Sequence, residues 1–599
     1  MPLTHLDAAG HPRPQLVRDP DWHDLCGPWL FAHDDADTGR AERWMDPAVT
    51  EPFTTTITVP YPPESKASGV HDTGHHPVVW YRRSLDLRRP ASGRLLLHFG
   101  AVDYRAEVWL DGRPAGRHEG GHTGFTCDLT DVLDGDGEHV LVVRAEDQPL
   151  DAAQPRGKQD WRRDPHVIWY ERTTGIWQPV WLEEVPEEHV TVLHWLPDVA
   201  HARVGCRVRL SRWPRGPRDL TVRLTVGERV LAEQRIRTEG QETAFDISVP
   251  ALRHGQDLDD LLWRPEKPHL VDATVTVTDP ADGARLDQVS SYLGLRDLGW
   301  DDGVFLLNHR PYFLRMALQQ GYWPESHLAA PGEALRRDVE LAKELGLNGL
   351  RIHQKIEDPR FLYWADRLGL LLWEEMPSAY VFGAPTVERV AHEWTEAIRR
   401  DLSHPAIVAW VPVNESWSVP NPALVPEQRH FMDALYHLTK ALDPTRPAVS
   451  NDGWELSAAD IWGVHDYSQH ASVLADRYGH AALRQGAFTE RWPAGKRLTL
   501  EGVRHQGQPV VLSEFGGATF EPADGENWFG YDTVATEEDF TARLDALVTA
   551  AVDSGLAGFC YTQLTDTLQE TNGLLTAERE PKVPTETVRA IVGRPRTLG

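Results

Sequence analysis

The sequence predicts a multidomain fold of mixed β and α/β class: a jelly-roll sandwich, an immunoglobulin-like sandwich and a (β/α)8 barrel, in that order. Three observations carry this. A chain of 599 residues exceeds what one compact core supports. Its first half reads as short strands parted by Gly, Pro and Asp turns. From Leu298 onward, apolar strand-like segments alternate with helical ones.

Residues 1–185 form the first predicted unit. Arg94–Phe99, Ala106–Leu110 and His139–Arg144 read as strands, and Asp111-Gly112 supplies the positive φ that a tight hairpin needs. The pattern means a sandwich or jelly roll. Residues 186–297 repeat it in Cys206–Leu210, Leu220–Thr225 and Ala273–Val277, with the spacing of an immunoglobulin-like sandwich. Residues 298–599 change rhythm. Eight strand ends are predicted: Tyr312–Gln320, Gly349–His353, Gly369–Met376, Ile407–Glu415, Pro447–Asp452, Ile461–Tyr467, Pro509–Phe515 and Leu556–Gln563. Helices are expected over 333–345, 359–368, 388–402, 425–441 and 535–553, and an elaborated loop over 468–508. Strand–helix alternation over this length argues for a barrel.

Composition excludes some functions. A formal charge of −29 repels phosphate backbones and anionic membranes, so neither nucleic acid nor lipid is an expected partner. Met1 to Gln15 lacks a basic-then-apolar pattern, and no apolar run is long enough for a membrane helix. Cys26, Cys127, Cys206 and Cys560 are scattered, without zinc-type pairs or a disulfide framework. A reduced, cytoplasmic protein is expected, and a homo-oligomer stays open. His71-Asp72 with His75-His76 has the residues of a metal cluster but reads as a polar loop.

Barrel active sites sit at the carboxyl ends of the strands. Two apolar strands end in a carboxylate: Ile407 to Glu415, and Pro509 to Glu514. They lie about 100 residues apart, which at roughly 30 to 35 residues per β/α unit puts them on the fourth and seventh strands. Strands so placed face each other across the mouth. Two opposed glutamates suit glycoside hydrolysis, one protonating the leaving oxygen and one attacking the anomeric carbon. Arg351 and His353 end the second strand. Arg351 is expected to orient the nucleophilic carboxylate as a bidentate pair, and His353 to bind substrate.

At these residues the chain resembles glycoside hydrolase family 2, the β-galactosidase/β-glucuronidase family. Trp410–Ser416 is similar to its acid/base motif and Ser513–Gly516 to its nucleophile motif. Gly175–Leu182 is similar to the segment closing its first, sugar-binding domain. Leu350-Arg351, Asp366–Leu370 and Trp373–Pro377 match the stretch from its second to third barrel strand. The resemblance implies retention through a covalent glycosyl-enzyme, with Glu514 as nucleophile and Glu415 as acid/base. It implies that Asn414 binds the sugar 2-hydroxyl, that Tyr467 lies near the nucleophile, and that Tyr561 stands where many members carry a sugar-platform Trp. Glu375 matches a metal ligand of the family, but Pro377 stands where the accompanying His would be. No catalytic metal or cofactor is therefore expected, and Glu375 is assigned to shaping the sugar pocket.

Two elements depart from the family. Ala317–Glu325, with Trp323, replaces an Asn-Arg/Lys-His-Glu motif, and His353-Gln354-Lys355 replaces Ser-His-Tyr-Pro. Both border the subsite for the non-reducing sugar, where Trp323 is expected to bind substrate. The expected reaction is exo-hydrolysis of a terminal β-galactoside-type substrate, pyranoside or galactofuranoside. A β-glucuronidase, with Lys355 pairing a uronate, and an α-L-arabinofuranosidase stay open. The glutamate pair argues against a carbohydrate-binding protein without catalysis.

Overall fold

The computed structural model describes residues 10–18, 22–255, 258–522, 525 and 528–596, so part of the Met1–Gln15 stretch lies outside the described residues. Two antiparallel sheets form the first sandwich. One orders strands 22–24, 180–185, 94–99 and 125–128; the other orders 55–59, 27–33, 78–87, 137–146, 105–110 and 113–119. Alternate side chains of the two sheets meet in a core that includes Phe31, Val79, Leu97, Val108 and Leu141. A second sandwich packs sheet 190–198, 203–210, 242–248 against sheet 229–238, 218–226, 271–278, 285–293. Its core holds Val204, Val222, Val275 and Val289.

The barrel sheet follows. Its strands are β1 (Leu314–Gln319), β2 (Gly349–Ile352), β3 (Leu371–Glu375), β4 (Ile407–Val411), β5 (Trp462–His465), β6 (Val510–Phe515) and β7 (Gly558–Tyr561), ordered β4-β3-β2-β1-β7-β6-β5. All pair in parallel. Helices cover its outside: α1 (Gly332–Glu344), α2 (Pro359–Leu368), α3 (Ala384–Asp401), α4 (Pro426–Leu442), α5 (Ala471–Tyr478) and α6 (Glu537–Val552). Parallel strands are covered on both faces, so they must be apolar throughout. Every residue of β4, Ile407-Val-Ala-Trp-Val411, is accordingly buried. The Trp410 indole spends its N–H on Asp443 at 2.9 Å.

Two of the eight predicted strands differ. Pro447–Asp452 runs beside β4 but touches it only through isolated parallel bridges, Trp410 to Ala448 and Asn414 to Asp452. Its other edge is spent on its own following loop: Ser450 N–H donates to Ala458, and Asp460 N–H to Ala448. No ladder to β5 can form there. The fourth strand also stops at Val411, short of Glu415. The chain turns instead, with positive φ at Glu415 (52°), Ser416 (60°) and Ser418 (70°). Such backbone at non-glycine residues is uncommon and concentrates at functional sites. No helix among the described residues is long and apolar enough to cross a membrane. The four cysteines are free.

Candidate active site

The strand ends converge on one guanidinium. Arg351, from β2, is fully buried. It donates from Nη1 to Glu514 Oε1 at 2.5 Å and from Nη2 to Asn414 Oδ1 at 2.6 Å. Nη2 also lies 3.0 Å from Asp452, and Nε pairs with Glu375. The bidentate pair expected from the sequence is therefore absent: Arg351 sits at the centre of the floor and divides its N–H groups among four partners. That division holds Glu514 of β6, Asn414 and Asp452 in one frame.

His465, at the end of β5, was not singled out in the sequence. Its Nδ1 lies 2.7 Å from Glu415 Oε1 and 3.4 Å from Glu514 Oε2, and its Nε2 lies 3.5 Å from Asp452. Ser513 fixes the other Asp452 oxygen by donating at 2.9 Å. Donor atoms of Glu415, His465 and Glu514 all fall within 4.8 Å of one another. The Tyr467 hydroxyl donates to Glu514 Oε2 at 2.5 Å, and its ring stacks on Tyr531 at 3.5 Å.

The electrostatics separate the two glutamates. Burial alone would raise both. For Glu514, His465 and Arg351 outweigh burial and hold the carboxyl down at about 2. For Glu415, burial and the neighbouring Glu514 charge push the carboxyl up, against the pull of His465. Burial opposes a charged imidazole, but Glu514, Asp452 and Glu415 together raise His465 to about 10. One carboxylate thus stays ionised while the other favours its proton, the division that acid/base chemistry at two neighbouring carboxyls requires.

A narrow cavity opens onto this floor. Its wall includes His353, Asn414, Glu415, Glu514 and Tyr467, all singled out in the sequence, together with Lys158, Ile168, Gln320, Gln354, Trp417, Tyr531, Thr562 and Glu570. Lys158 and Ile168 come from a long loop of the first sandwich. Gly157 lets that loop in: its φ is +60°, and a Cβ there would lie 2.3 Å from the Gln354 carbonyl. Lys158 lies 5.6 Å over the Tyr170 ring, in the field of Glu570, Glu514, Glu415 and Glu375. Nothing in a sandwich sequence marks such a lysine as part of a barrel site.

Several expected binding residues stand elsewhere. Trp323 is buried in the barrel core, with the Lys355 ammonium 5.0 Å and the Arg579 guanidinium 4.9 Å from its ring, away from the cavity wall. Tyr561 is buried too, edge-on to Phe515. Side chains alternate along a strand, so the next residue, Thr562, faces the cavity instead. Glu375 lies beneath the wall, joined to Arg351 and, at 2.9 Å, to His353 Nδ1. It shapes the pocket through those two residues. Arg351 acts on the wall residues in the same indirect way. Lys355 lines a neighbouring cavity, but its ammonium is spent on the Gly321 and Leu328 carbonyls, at 2.8 and 2.9 Å, and on Glu357 at 2.8 Å. It is neither a surface lysine nor free for a uronate.

Of the histidine cluster in the first sandwich, Asp72 and His76 come together, with His33 as a third member. The His33 and His76 rings stack at 3.8 Å, and a ligand atom of each of the three residues lies within 4.8 Å of the others. His76 is already paired with Asp35 and Asp72.

Residues 22–149 match the sugar binding domain, and residues 300–594 the TIM barrel domain, of glycosyl hydrolases family 2. A β-galactosidase of Thermoanaerobacter pseudethanolicus is 26% identical over 62% of this chain and 48% of its own length. A β-glucuronidase of Chlorocebus aethiops is 25% identical over 83% of this chain and 78% of its own. The chain thus spans about half the length of the first of these relatives. Among solved structures, a family 2 β-galacturonidase of Eisenbergiella tayi bound to galacturonate superposes with a TM-score of 0.73, at 20% identity, over 97% of this chain and 98% of its own. A β-glucuronidase of Ruminococcus gnavus gives 0.76 at 17% identity, over 96% and 98%. With its sugar binding and barrel regions both matched, and one likeness of fold running nearly end to end, the chain belongs to glycoside hydrolase family 2.

Proposed function

We propose that the protein is a retaining exo-glycosidase, with Glu514 as nucleophile and Glu415 as acid/base. The observation that carries this is the spacing: carboxylate oxygens of the two residues lie within 4.8 Å of each other, bridged by His465. Retaining enzymes hold their carboxyls about 5 to 5.5 Å apart, whereas inverting ones leave about 6.5 to 9.5 Å for a water. Ionised Glu514 attacks the anomeric carbon while Glu415 gives its proton to the leaving oxygen. Glu415, now ionised, then takes a proton from the water that opens the glycosyl-enzyme. The Asn414 amide, its oxygen fixed by Arg351, turns its NH2 toward the sugar 2-hydroxyl.

The preferred sugar is neutral and of β-galactoside type, pyranose or furanose. Glu570 faces the cavity and would repel a second carboxylate while accepting hydroxyl hydrogens. A uronide is the second reading, favoured by the buried Lys158 ammonium in the same wall. Nitrophenyl β-galactopyranoside, β-galactofuranoside, α-L-arabinofuranoside, β-glucuronide and β-galacturonide, assayed side by side, decide between them. A neutral sugar should exceed both uronides in kcat/KM; a reversed order assigns Lys158 to a carboxylate, and no hydrolysis of any member removes the glycosidase reading.

A further inference from the structure

The cavity wall carries two kinds of side chain. Lys158, Gln320, His353, Gln354 and Glu570 are polar; Ile168 and Trp417 are apolar, and Trp417 lies two residues beyond Glu415. Trp417 belongs to a cluster of four rings. Trp169 stands 5.5 Å from Trp417 and 5.7 Å from Tyr380; Tyr380 lies 5.3 Å from Trp417 and 4.7 Å from Trp161; Trp161 lies 4.9 Å from Trp169. Two come from the sandwich loop and two from barrel loops. They are held in register: Tyr380 N–H donates to Ala152 at 2.8 Å, and its hydroxyl to the Gly157 carbonyl. Gln569 donates to the carbonyls of Val167 and Trp169, at 3.1 and 2.8 Å, which sets Leu568 beside the same loop. Val167 is 43% exposed and Leu568 38% exposed. The four rings are buried or half-buried, and the exposed apolar side chains beside them mark a contact surface rather than a core.

We infer that this aromatic wall is the aglycone subsite, and that it takes a leaving group with a flat apolar face, such as an aryl or arylalkyl group. The inference rests on the glycosidase reading above. An acid delivers its proton to the leaving oxygen, so the leaving group must lie on the Glu415 side, and Trp417 follows Glu415 by two residues in the same turn. The polar side chains of the wall are left for the hydroxyls of the sugar. A second sugar in place of the aryl group would need partners for several hydroxyls. The wall offers it mainly ring faces and the aliphatic Val167 and Leu568; the Tyr380 hydroxyl already donates to the Gly157 carbonyl, which leaves chiefly the Trp169 indole N–H and the imidazole of His166, stacked on Trp169 at 4.8 Å, as polar partners.

The test uses the sugar that the enzyme hydrolyses best, as its methyl, hexyl, benzyl and 2-naphthylmethyl glycosides, whose leaving groups are all simple primary alkoxides. KM should fall about tenfold or more from methyl to 2-naphthylmethyl, as stacking on two or more rings provides. Benzyl should be bound better than hexyl. Trp417→Ala and, on the loop away from the carboxylates, Trp161→Ala should each pull that KM ratio toward one. A flat series, a hexyl glycoside matching the naphthylmethyl one, or an unchanged ratio in both variants overturns the inference while leaving the glycosidase reading intact. If no glycoside is hydrolysed, that reading fails by itself. Titration with 2-naphthylmethanol then reads the wall directly. Saturable quenching of tryptophan fluorescence that is weakened in Trp161→Ala supports the subsite, and non-saturable quenching overturns it.

Discussion

The floor of the cavity and its rim are made from different material. On the floor, Arg351, Glu375, Asp452, His465 and Glu514 are buried at or near strand ends, and each is bonded to at least one of the others. On the rim, Lys158, Ile168, Trp417 and Glu570 come from a sandwich loop and from turns beyond the strands. A floor of mutually bonded charges tolerates no loss without leaving another charge unpaired in a low dielectric. A rim of loops tolerates loss at the expense of affinity. The comparison teaches that rate should depend on the floor and substrate choice on the rim.

Removing Glu514 of the floor or Glu415 directly above it should have the largest effect. Glu514→Gln should lower kcat on the order of 10⁵-fold, since the covalent step loses its nucleophile. Glu415→Ala should cost about 10² to 10⁴-fold on substrates with poor leaving groups and much less on dinitrophenyl glycosides, which need little protonation. Azide should rescue that variant by replacing activated water. Steady-state kinetics across leaving groups, with and without azide, checks both. Equal losses for good and poor leaving groups, with no rescue, would move the acid/base role away from Glu415.

His465→Asn should come next and should show in the pH profile. In the wild-type protein, Glu514 and the other carboxylates hold His465 charged to about 10, and its proton pulls Glu415 down. Around His465 stand Glu415, Glu514, Asp452, Arg351, Glu375, Lys158, His353 and Tyr467. Loss of the imidazolium removes an opposite charge from Glu415, so its carboxyl must rise. Glu415 has to be ionised to act as base on the glycosyl-enzyme. The acid limb of kcat, on a substrate whose deglycosylation is limiting, should therefore move to higher pH by about one unit or more. A limb that stays in place would reduce His465 to packing.

The floor was largely legible in the sequence and the rim was not. Glu415 and Glu514 each close an apolar run, and apolar runs of strand length have a short-range cause; Arg351 lies within the short buried strand β2. His465 and Asp452 end strand-like segments in the same way, but neither belongs to a pair of opposed glutamates. Tyr561 and Trp323 were misplaced for different reasons. Tyr561 has the wrong parity on β7, which a strict count of alternate residues would have revealed. Trp323 follows β1 in a loop whose path depends on Lys355 and Arg579, far away in the chain. Lys158 depends on how one domain's loop docks on another, and no local pattern encodes that.

Gly157 tests the rim without touching the floor. Its Cβ would meet the Gln354 carbonyl at 2.3 Å, from a left-handed backbone that alanine adopts poorly. Gly157→Ala should therefore lift the loop carrying Lys158 and Ile168. KM should rise about tenfold while kcat falls by less than about threefold. If kcat falls as far as it does in His465→Asn, with KM unchanged, rim and floor are mechanically one unit and the distinction fails.

The smallest effect on activity should come from Lys355, which sits close to the cavity but belongs to neither part. Its ammonium and the Glu357 carboxylate are each 1% exposed and 2.8 Å apart. Burial lowers the lysine and raises the glutamate, so the pair survives on its mutual attraction and on the Gly321 and Leu328 carbonyls. Breaking such a pair from one side costs roughly 3 to 5 kcal/mol, whereas replacing both partners by neutral groups costs far less. Lys355→Met should thus lower the thermal inactivation midpoint clearly, and Lys355→Met with Glu357→Gln should recover most of that loss. In both, kcat and KM for the preferred sugar should stay within about twofold, since no atom of the pair faces the reacting sugar. Thermal inactivation and kinetics on the same preparations settle the matter. A selective loss of uronide hydrolysis in Lys355→Met, with thermal behaviour unchanged, would instead return Lys355 to the substrate and redraw the rim.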